Sequence, residues 1–289
     1  MILEPWTHAS PVTGTTLRGW MTQPTAKPLL HMLHGNGFCG RVYEPMLQAL
    51  AADFDLWLCD MPGHGDSDAA TPFPGWNACA AAALEAFQAQ RGRFGDVPCF
   101  AVGHSFGGVL TALMLAEASH PFERAVLLDP VLFPPAMLLA IHLGLGRFNP
   151  LAKASLRRRR TWPSREGAAQ ALHGRGTYKG WAPEALQAFA ANALRELPDG
   201  QVGLKCAPEL EATIFSSGPR RLWAAVDQLA VPTLIAHGRD TMPFVARGSR
   251  QATARNRRIQ EQVLDGGHCF MQQQPAMAAD VVRRHLLGG

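Results

Sequence analysis

Residues 99–113 read CFAVGHSFGGVLTAL, and this stretch decides the fold. Its first four residues are continuously apolar, which predicts a strand covered on both faces within a parallel sheet. Residues 107–118 have a helical pattern. Between strand and helix lies Gly103-His104-Ser105-Phe106-Gly107, the pattern G-x-S-x-G, which in this setting presents a serine hydroxyl at a sharp turn. The alternative interpretation is a glycine-rich turn with an idle serine.

Similar strand and helix patterns extend this arrangement along the chain. Strands are predicted at 29–33, 54–59, 125–128, 233–236 and 258–264, and helices at 43–52, 76–91 and 275–287. The last helix has Pro275 in its first turn and ends before Gly288, as helices commonly do. The alternation predicts an α/β fold, a mostly parallel sheet flanked by helices. Residues 12–21, around Gly14, predict an antiparallel hairpin at its edge.

The alternation stops after Asp129, and the next strand signal is Val231. About 100 residues is far more than a crossover connection needs, so a folded insertion is expected there. Helical patterns occur at 168–172, 183–197 and 219–229. We therefore predict a core from residues 1–130 and 231–289, with 131–230 as a helical cap. The cap holds 13 Lys or Arg against 7 Asp or Glu, a net charge of +6, whereas the whole chain carries +4.

A serine hydroxyl needs a nearby base, and the base needs a carboxylate that orients it. His268 follows two glycines in the loop between the last predicted strand and helix, which makes it the candidate base. Asp240 follows the strand at 233–236 and gives the chain order Ser, Asp, His, so it is the preferred acid. Asp129, at the end of the strand at 125–128, is the alternative acid, or a turn residue before proline.

Acyl chemistry also needs backbone N–H groups that stabilise a developing oxyanion. Phe106 supplies one candidate, because it begins a helix directly after Ser105. Asn36 or Gly37, in the loop after the strand at 29–33, supplies the second. The alternative for that loop is an ordinary glycine turn.

Aromatic side chains near these loops and in the cap indicate a pocket for an apolar substrate, although most such residues belong to cores. The predicted substrate contacts are Phe38, His104, Trp162 and Trp181. Residues 157–160 are four consecutive arginines. Such a run usually forms a solvated face; alternatively it attracts an anionic substrate group or an acidic membrane surface.

The chain resembles the α/β-hydrolase superfamily, of lipase and esterase type, in an ordered set of motifs that spans the sequence outside the cap: His34-Gly35-Asn36-Gly37, Asp60-Met61-Pro62-Gly63-His64-Gly65-Asp66-Ser67, Gly103-His104-Ser105-Phe106-Gly107-Gly108, Asp240 and Gly267-His268. The resemblance implies an eight-stranded sheet, a Ser-His-Asp triad, a lid inserted after the sixth strand and no cofactor. Serine at position 105 argues against the dehalogenase and epoxide hydrolase branches, which use a carboxylate nucleophile.

One departure from the family pattern bears on the acid. Relatives often place it three residues after the glycine that ends the strand, here Gly238. Asp240 lies two residues after this glycine, and Thr241 occupies the third place. Since some relatives take the acid from after the sixth strand, Asp129 remains open.

Composition excludes several classes. With 289 residues, 47% hydrophobic and 17% charged, the chain is globular, and its net charge of +4 does not by itself predict a nucleic-acid binder. Its six scattered cysteines form no metal-binding pattern, which favours free thiols in a reducing compartment. No signal peptide, lipid anchor or transmembrane span is readable, so we expect a cytoplasmic protein without a stable membrane anchor, a metal or a nucleic-acid partner.

These features together predict a serine hydrolase that cleaves a carboxylic ester or thioester of a small to medium apolar substrate through an acyl-enzyme. A substrate with an anionic group is included. The same triad also suits C–C bond hydrolysis or perhydrolysis, because a fold does not fix the substrate. From another class, a non-catalytic receptor for a small ligand remains an alternative.

Overall fold

The computed structural model describes residues 1–288. The strands, in chain order, are β1 (Glu4–Ser10), β2 (Thr15–Met21), β3 (Leu29–Leu33), β4 (Asp55–Asp60), β5 (Cys99–His104), β6 (Phe122–Leu128), β7 (Thr161–Trp162), β8 (Leu194–Glu196), β9 (Val202–Leu204), β10 (Thr233–Gly238) and β11 (Ile259–Leu264). The α-helices are α1 (Glu44–Leu50), α2 (Trp76–Arg91), α3 (Phe106–Met114), α4 (Pro135–His142), α5 (Pro150–Leu156), α6 (Arg165–Leu172), α7 (Pro183–Asn192), α8 (Pro208–Ser216), α9 (Leu222–Gln228), α10 (Pro243–Arg255), α11 (Phe270–Gln273) and α12 (Pro275–Leu287). Short 3-10 turns cover Gly40–Tyr43, Gly92–Phe94, Leu145–Phe148 and Gly176–Tyr178.

Eight strands form one sheet in the order β1-β2-β4-β3-β5-β6-β10-β11. Strand β2 runs antiparallel to both of its neighbours, β1 and β4, and all remaining pairs are parallel. The predicted α/β fold with a mostly parallel eight-stranded sheet is confirmed. Every residue of β3, β4, β5 and β10 is buried, as expected for strands covered on both faces.

The hydrophobic core consists of two large clusters of buried side chains, each extending over sheet residues and helices. Residues that alternate along a strand belong to different clusters: in β3, Leu29 and Leu33 pack in one, while Leu30 and Met32 pack in the other. This division follows from the two-residue period of a strand. The central strands are therefore fixed from both sides, which gives their carboxyl ends a rigid position.

Several boundaries differ from the sequence predictions. The helix predicted at 183–197 ends at Asn192, and its last residues form β8 instead. The helix predicted at 107–118 ends at Met114, and the one at 219–229 begins at Leu222. The edge hairpin starts earlier than predicted, because β1 is its first strand and pairs with β2. Gly14, with φ +66°, lies in the turn between the two strands.

The segment between β6 and β10 contains more than helices. A second, antiparallel sheet has the order β7-β9-β8. The prediction of a purely helical insertion misses these strands, since runs of two or three residues leave no readable period. Helix α9 contacts α3 and α10, so the end of this segment joins the helical layer beside the main sheet.

Candidate active site

Ser105 stands in the turn between β5 and α3. Its backbone has φ 54° and ψ −112°, a strained conformation for a residue with a side chain. Close packing on both sides holds the turn: a Cβ atom at Gly103 would lie 2.3 Å from the Gly107 carbonyl oxygen, and one at Gly107 would lie 2.4 Å from the Leu33 oxygen. Only glycine fits these two positions, which explains the spacing of the motif.

Three side chains from distant parts of the chain meet at this turn. His268 Nε2 lies 2.9 Å from Ser105 Oγ, and His268 Nδ1 lies 2.6 Å from Asp129 Oδ1. Ser105 is nearly buried, Asp129 is fully buried and the His268 side chain is about one quarter exposed. Both ring nitrogens of His268 therefore have a partner. The imidazole lies between the hydroxyl of Ser105 and the carboxylate of Asp129.

The preferred acid, Asp240, is wrong on this geometry. Its side chain is exposed and makes no hydrogen bond within the described residues, while its backbone N–H donates to the Gly266 carbonyl at 2.9 Å. The carboxylate that contacts His268 belongs to the alternative, Asp129. Strands β6 and β10 are parallel neighbours, so their carboxyl ends lie side by side and either could supply the acid.

Asp129 is held by further hydrogen bonds. Gly238 N–H donates to Oδ2 at 2.8 Å, and Thr241 Oγ1 donates to Oδ1 at 2.5 Å. The Asp129 backbone has φ 45°, and its N–H donates to the Ala236 carbonyl at 2.7 Å. A buried carboxylate without such donors would carry a large desolvation penalty. In the sequence, Thr241 marks only the place where relatives often have the acid, and no local signal indicates that it donates to Asp129.

A buried hydrogen-bond chain connects the loop of His268 with the loop that follows β3. Burial lowers the pKa of His104 well below its usual value, so the ring is neutral. His104 Nε2–H donates to the His268 carbonyl at 3.0 Å, and Nδ1 accepts from Tyr43 Oη at 2.6 Å. Tyr43 Oη in turn accepts from Gly35 N–H at 2.9 Å. Each of these four groups thus has a hydrogen-bond partner, and every bond in the chain runs from donor to acceptor in the same direction. Tyr43 carries no motif signal in the sequence.

Two backbone N–H groups near Ser105 lack an acceptor within the described residues, those of Phe106 and Asn36. The N–H of Gly37, the other predicted donor, also has no acceptor among the described residues, but Gly37 does not line the cavity, whereas Phe106 and Asn36 do. The Asn36 side chain fixes this loop, because Nδ2 donates to the Glu211 carbonyl at 3.0 Å. The geometry thus favours Phe106 and Asn36 over Gly37 as the donor pair.

Ser105 and His268 line a cavity of about 670 Å³ with mostly apolar walls. Phe38, His104 and Trp162 line it as predicted. Trp181 does not: it lies behind Phe38, with ring centroids 5.4 Å apart and inclined by 71°, in an aromatic cluster. The sequence holds no signal that separates an aromatic core residue of the insertion from one that lines the cavity.

The arginine run 157–160 splits between the cavity and the surface. Arg158 enters the cavity wall, where its guanidinium contacts the Glu211 carboxylate at 2.5 Å and Tyr178 Oη at 2.7 Å. Arg159 lies at the cavity and over the Trp162 ring, with 5.7 Å to the centroid. Arg160 pairs with Glu209 at the surface. The charge of Arg158 is therefore neutralised in the cavity wall, whereas Arg159 and Arg175 line the cavity without an ion-pair partner among the described residues.

Residues 1–288 show three further features. No group of three or more His, Cys, Asp and Glu side chains there could hold a metal ion. All six cysteines are buried and unbridged. The same residues include no helix with the length and hydropathy of a transmembrane span.

Comparisons with known proteins agree with the fold. The model of the alpha/beta hydrolase family matches residues 32–281. The chain is 27% identical over 222 residues to the abhydrolase domain-containing protein AFT2-1 of Alternaria alternata, covering 64% of this chain and 81% of that protein. It is 33% identical over 142 residues to the type I acyl-CoA thioesterase mpaH of Penicillium roqueforti, covering 48% and 29%.

Solved structures extend the likeness to nearly the whole chain. The peroxisomal alpha-beta-hydrolase Lpx1 of Saccharomyces cerevisiae superposes with a TM-score of 0.77 at 14% identity, covering 98% of this chain and 87% of that one. At this identity the superposition concerns the fold alone. The family match covers far more than half of the sequence and includes every residue of the Ser105 site, and the chain therefore belongs to the alpha/beta hydrolase family.

Proposed function

We propose that this protein is a serine hydrolase that cleaves a carboxylic ester or thioester of a small to medium apolar molecule through an acyl-enzyme. The observation that carries the proposal is the continuous contact from Ser105 Oγ through both nitrogens of His268 to Asp129 Oδ1. An imidazole oriented by a carboxylate and bonded to a serine hydroxyl is the arrangement that makes serine nucleophilic. A receptor has no need of a buried, three-donor carboxylate behind a histidine.

In the first half of the reaction, Ser105 Oγ attacks the carbonyl carbon of the substrate while its proton moves to His268 Nε2. The carbonyl oxygen becomes an oxyanion, which the N–H groups of Phe106 and Asn36 stabilise, since both lack another acceptor. Asp129 stabilises the imidazolium and keeps the ring oriented. His268 then returns the proton to the leaving alcohol or thiol as the bond to the acyl carbon breaks.

In the second half, a water molecule takes the position of the leaving group. His268 Nε2 accepts one proton from this water, whose oxygen attacks the acyl carbon. The same two N–H groups stabilise the second oxyanion. Collapse of this intermediate breaks the bond to Ser105 Oγ, which regains the proton from His268, and the carboxylic acid leaves.

The cavity supports an apolar substrate. Its volume of about 670 Å³ lies within the range of small-molecule sites, and side chains such as Phe133, Ile214 and Phe244 line it. The acyl-CoA thioesterase among the relatives supports thioesters as one of the two leaving-group classes. The ion pair of Arg158 and Glu211 adds a polar region that suits a hydroxyl or carbonyl group, and the unpaired Arg159 and Arg175 at the cavity suit an anionic group on the substrate.

An active-site probe tests the nucleophile. A fluorophosphonate is expected to label the protein at Ser105, and Ser105→Ala is expected to remove the labelling. Ser216→Ala, at a serine that does not line the cavity, serves as the matched control and should label normally. Absence of labelling in folded wild-type protein would contradict the proposal and favour the receptor.

Substrate class is tested with p-nitrophenyl esters and matched acyl thioesters of increasing chain length. We expect kcat/KM to rise with acyl length until the cavity is filled, because each buried CH₂ contributes about 0.8 kcal/mol. Hydrolysis of neither series by a protein that labels with the probe would contradict the ester and thioester assignment and direct attention to C–C substrates.

A further inference from the structure

An apolar surface lies on the insertion beside the cavity. Six large apolar side chains within residues 139–156 are exposed, with Leu143 at 71%, Leu139 at 60% and Phe148 at 56%. They lie on α4 and the residue that follows it, on the 3-10 turn Leu145–Phe148 and on α5, and the turn contacts both helices. We call this the lid face, defined by Leu139, Leu143, Leu145, Phe148, Leu151 and Leu156.

The concentration is unusual for a protein surface. Of the large apolar side chains that are exposed in residues 1–288, more than half belong to the lid face. The opposite side of these helices packs against the protein, since Leu138, Ile141 and Ala152 are buried. Single exposed apolar residues need no explanation, whereas a cluster of this kind marks an interaction surface.

The lid face is also strongly basic. Residues 131–160 contain no Asp or Glu. Arg158 and Arg160 are paired with Glu211 and Glu209, but no carboxylate lies within ion-pair distance of Arg147, Lys153, Arg157 or Arg159 in the described residues. Arg147 and Lys153 lie over the Phe148 ring, at 4.8 and 5.8 Å from its centroid. Apolar and cationic groups therefore occupy the same surface.

We propose that the lid face docks on an anionic lipid surface, with its apolar side chains inserted among the lipids and its cations at the headgroups. A second copy of this chain fits poorly, because two lid faces would bring like charges together without a compensating carboxylate. An anionic lipid surface satisfies both features at once: it accepts apolar side chains and attracts each nearby Lys or Arg.

The lid face borders the cavity. Leu151 belongs to both, and Asn149, Ala154 and Ser155 on the same elements also line the cavity. Docking would hold this side of the cavity against the lipid and shorten the path of an apolar substrate to Ser105. This consequence rests on the proposed function, whereas docking itself does not.

Vesicle co-sedimentation tests the docking with Ser105→Ala protein, so that catalysis does not alter the lipid. We expect binding to phosphatidylcholine vesicles containing phosphatidylglycerol, weak binding to pure phosphatidylcholine, and a decrease in binding at high salt. Arg147→Gln with Lys153→Gln should lower the partition coefficient about 30-fold, since each cation near an anionic surface contributes about a factor of five. Leu143→Ser with Phe148→Ser should lower it at least about tenfold while the salt dependence remains.

The matched control combines Val263→Ser with Arg250→Gln, an exposed apolar and an exposed basic residue outside the lid face, and should bind like its parent. Equal binding to neutral and anionic vesicles, no binding to either, or equal loss in the control would overturn the proposal. So would a dimer in gel filtration that Leu143→Ser with Phe148→Ser dissociates, because the occupant would then be a second copy. The fluorophosphonate reaction of the Ser105-containing protein reports separately on the proposed function.

Discussion

Thr241 donates its hydroxyl proton to the same oxygen of Asp129 that His268 contacts. Thr241 occupies the place, three residues after the glycine that ends β10, where relatives often have the acid. Here the segment after β10 provides a hydroxyl at that place, and the segment after the neighbouring strand β6 provides the carboxylate. The two arrangements bring an acid to the same imidazole because the carboxyl ends of parallel strands lie next to each other.

Asp129→Asn is expected to lower kcat by about 10⁴-fold, since an amide in place of the carboxylate favours the wrong tautomer of the base. Ester hydrolysis by purified, folded protein measures the effect. Asp240→Asn is the matched control and should stay within about twofold of wild type, as expected for an exposed position. A large loss in the control and none in Asp129→Asn would restore the original assignment.

Thr241→Val should lower kcat with little change in KM. Valine has nearly the same shape but leaves the buried Asp129 carboxylate with one donor fewer, and a hydrogen bond to a charged group contributes about 1.5–3 kcal/mol. We therefore expect a loss of about 10- to 100-fold. Thr241→Ser keeps the hydroxyl and should retain most of the activity. Equal losses in both variants would show that the hydrogen bond from the hydroxyl to Asp129 does not support catalysis.

Tyr43→Phe removes the central hydroxyl of the chain that joins Gly35 to His104 and the His268 loop. Because Gly35 precedes the proposed oxyanion donor Asn36, we expect kcat to fall about tenfold, the size of a weakened oxyanion contact. Steady-state kinetics separate this effect from binding. Tyr178→Phe, the other tyrosine of the chain and a cavity residue, should alter KM more than kcat, and the reverse pattern would contradict this assignment.

Glu211→Gln should shift the substrate preference toward anionic esters. In the wild type the Glu211 carboxylate neutralises Arg158 inside the cavity wall. Without it, a substrate carboxylate can pair with the guanidinium, and we expect the KM of a carboxylate-bearing ester to fall about tenfold relative to a neutral ester of equal length. The Asn36 contact uses the backbone oxygen of Glu211 and is retained. An unchanged ratio of the two KM values would contradict the expectation.

His31→Leu should flatten the dependence of stability on pH. Burial lowers the pKa of His31 to about 3, from 6.5 in the unfolded chain. Between these values the unfolded state binds a proton that the folded state does not, so stability is complete above pH 6.5 and decreases as the pH falls, by about 1.4 kcal/mol per pH unit. Because leucine does not titrate, the unfolded state of the variant binds one proton fewer in this pH range. Urea unfolding at pH 7, 6 and 5 measures the slope, and an unchanged slope would contradict the prediction.

The sequence by itself determined the fold and the central part of the site. Local signals were sufficient because they report local physics: the glycines around Ser105 require a close strand–turn–helix crossing, and the apolar strands require cover on both faces. β3, α2 and α12 have the boundaries that the sequence predicted. Ser105 and His268 followed from the same kind of pattern, a reactive residue at the end of a predicted strand.

Only the tertiary structure decided which residues complete the site. Asp129 and Asp240 each follow a strand, and the choice depends on the direction of each side chain at the sheet edge, which no local pattern encodes. Gly37 and Trp181 were predicted at the site from their residue types, and the arginine run 157–160 was left open between surface and substrate. The packed structure places Arg158 in the cavity wall and leaves Gly37 and Trp181 out of it. These contacts join residues more than a hundred positions apart, so they exist only once the chain is packed.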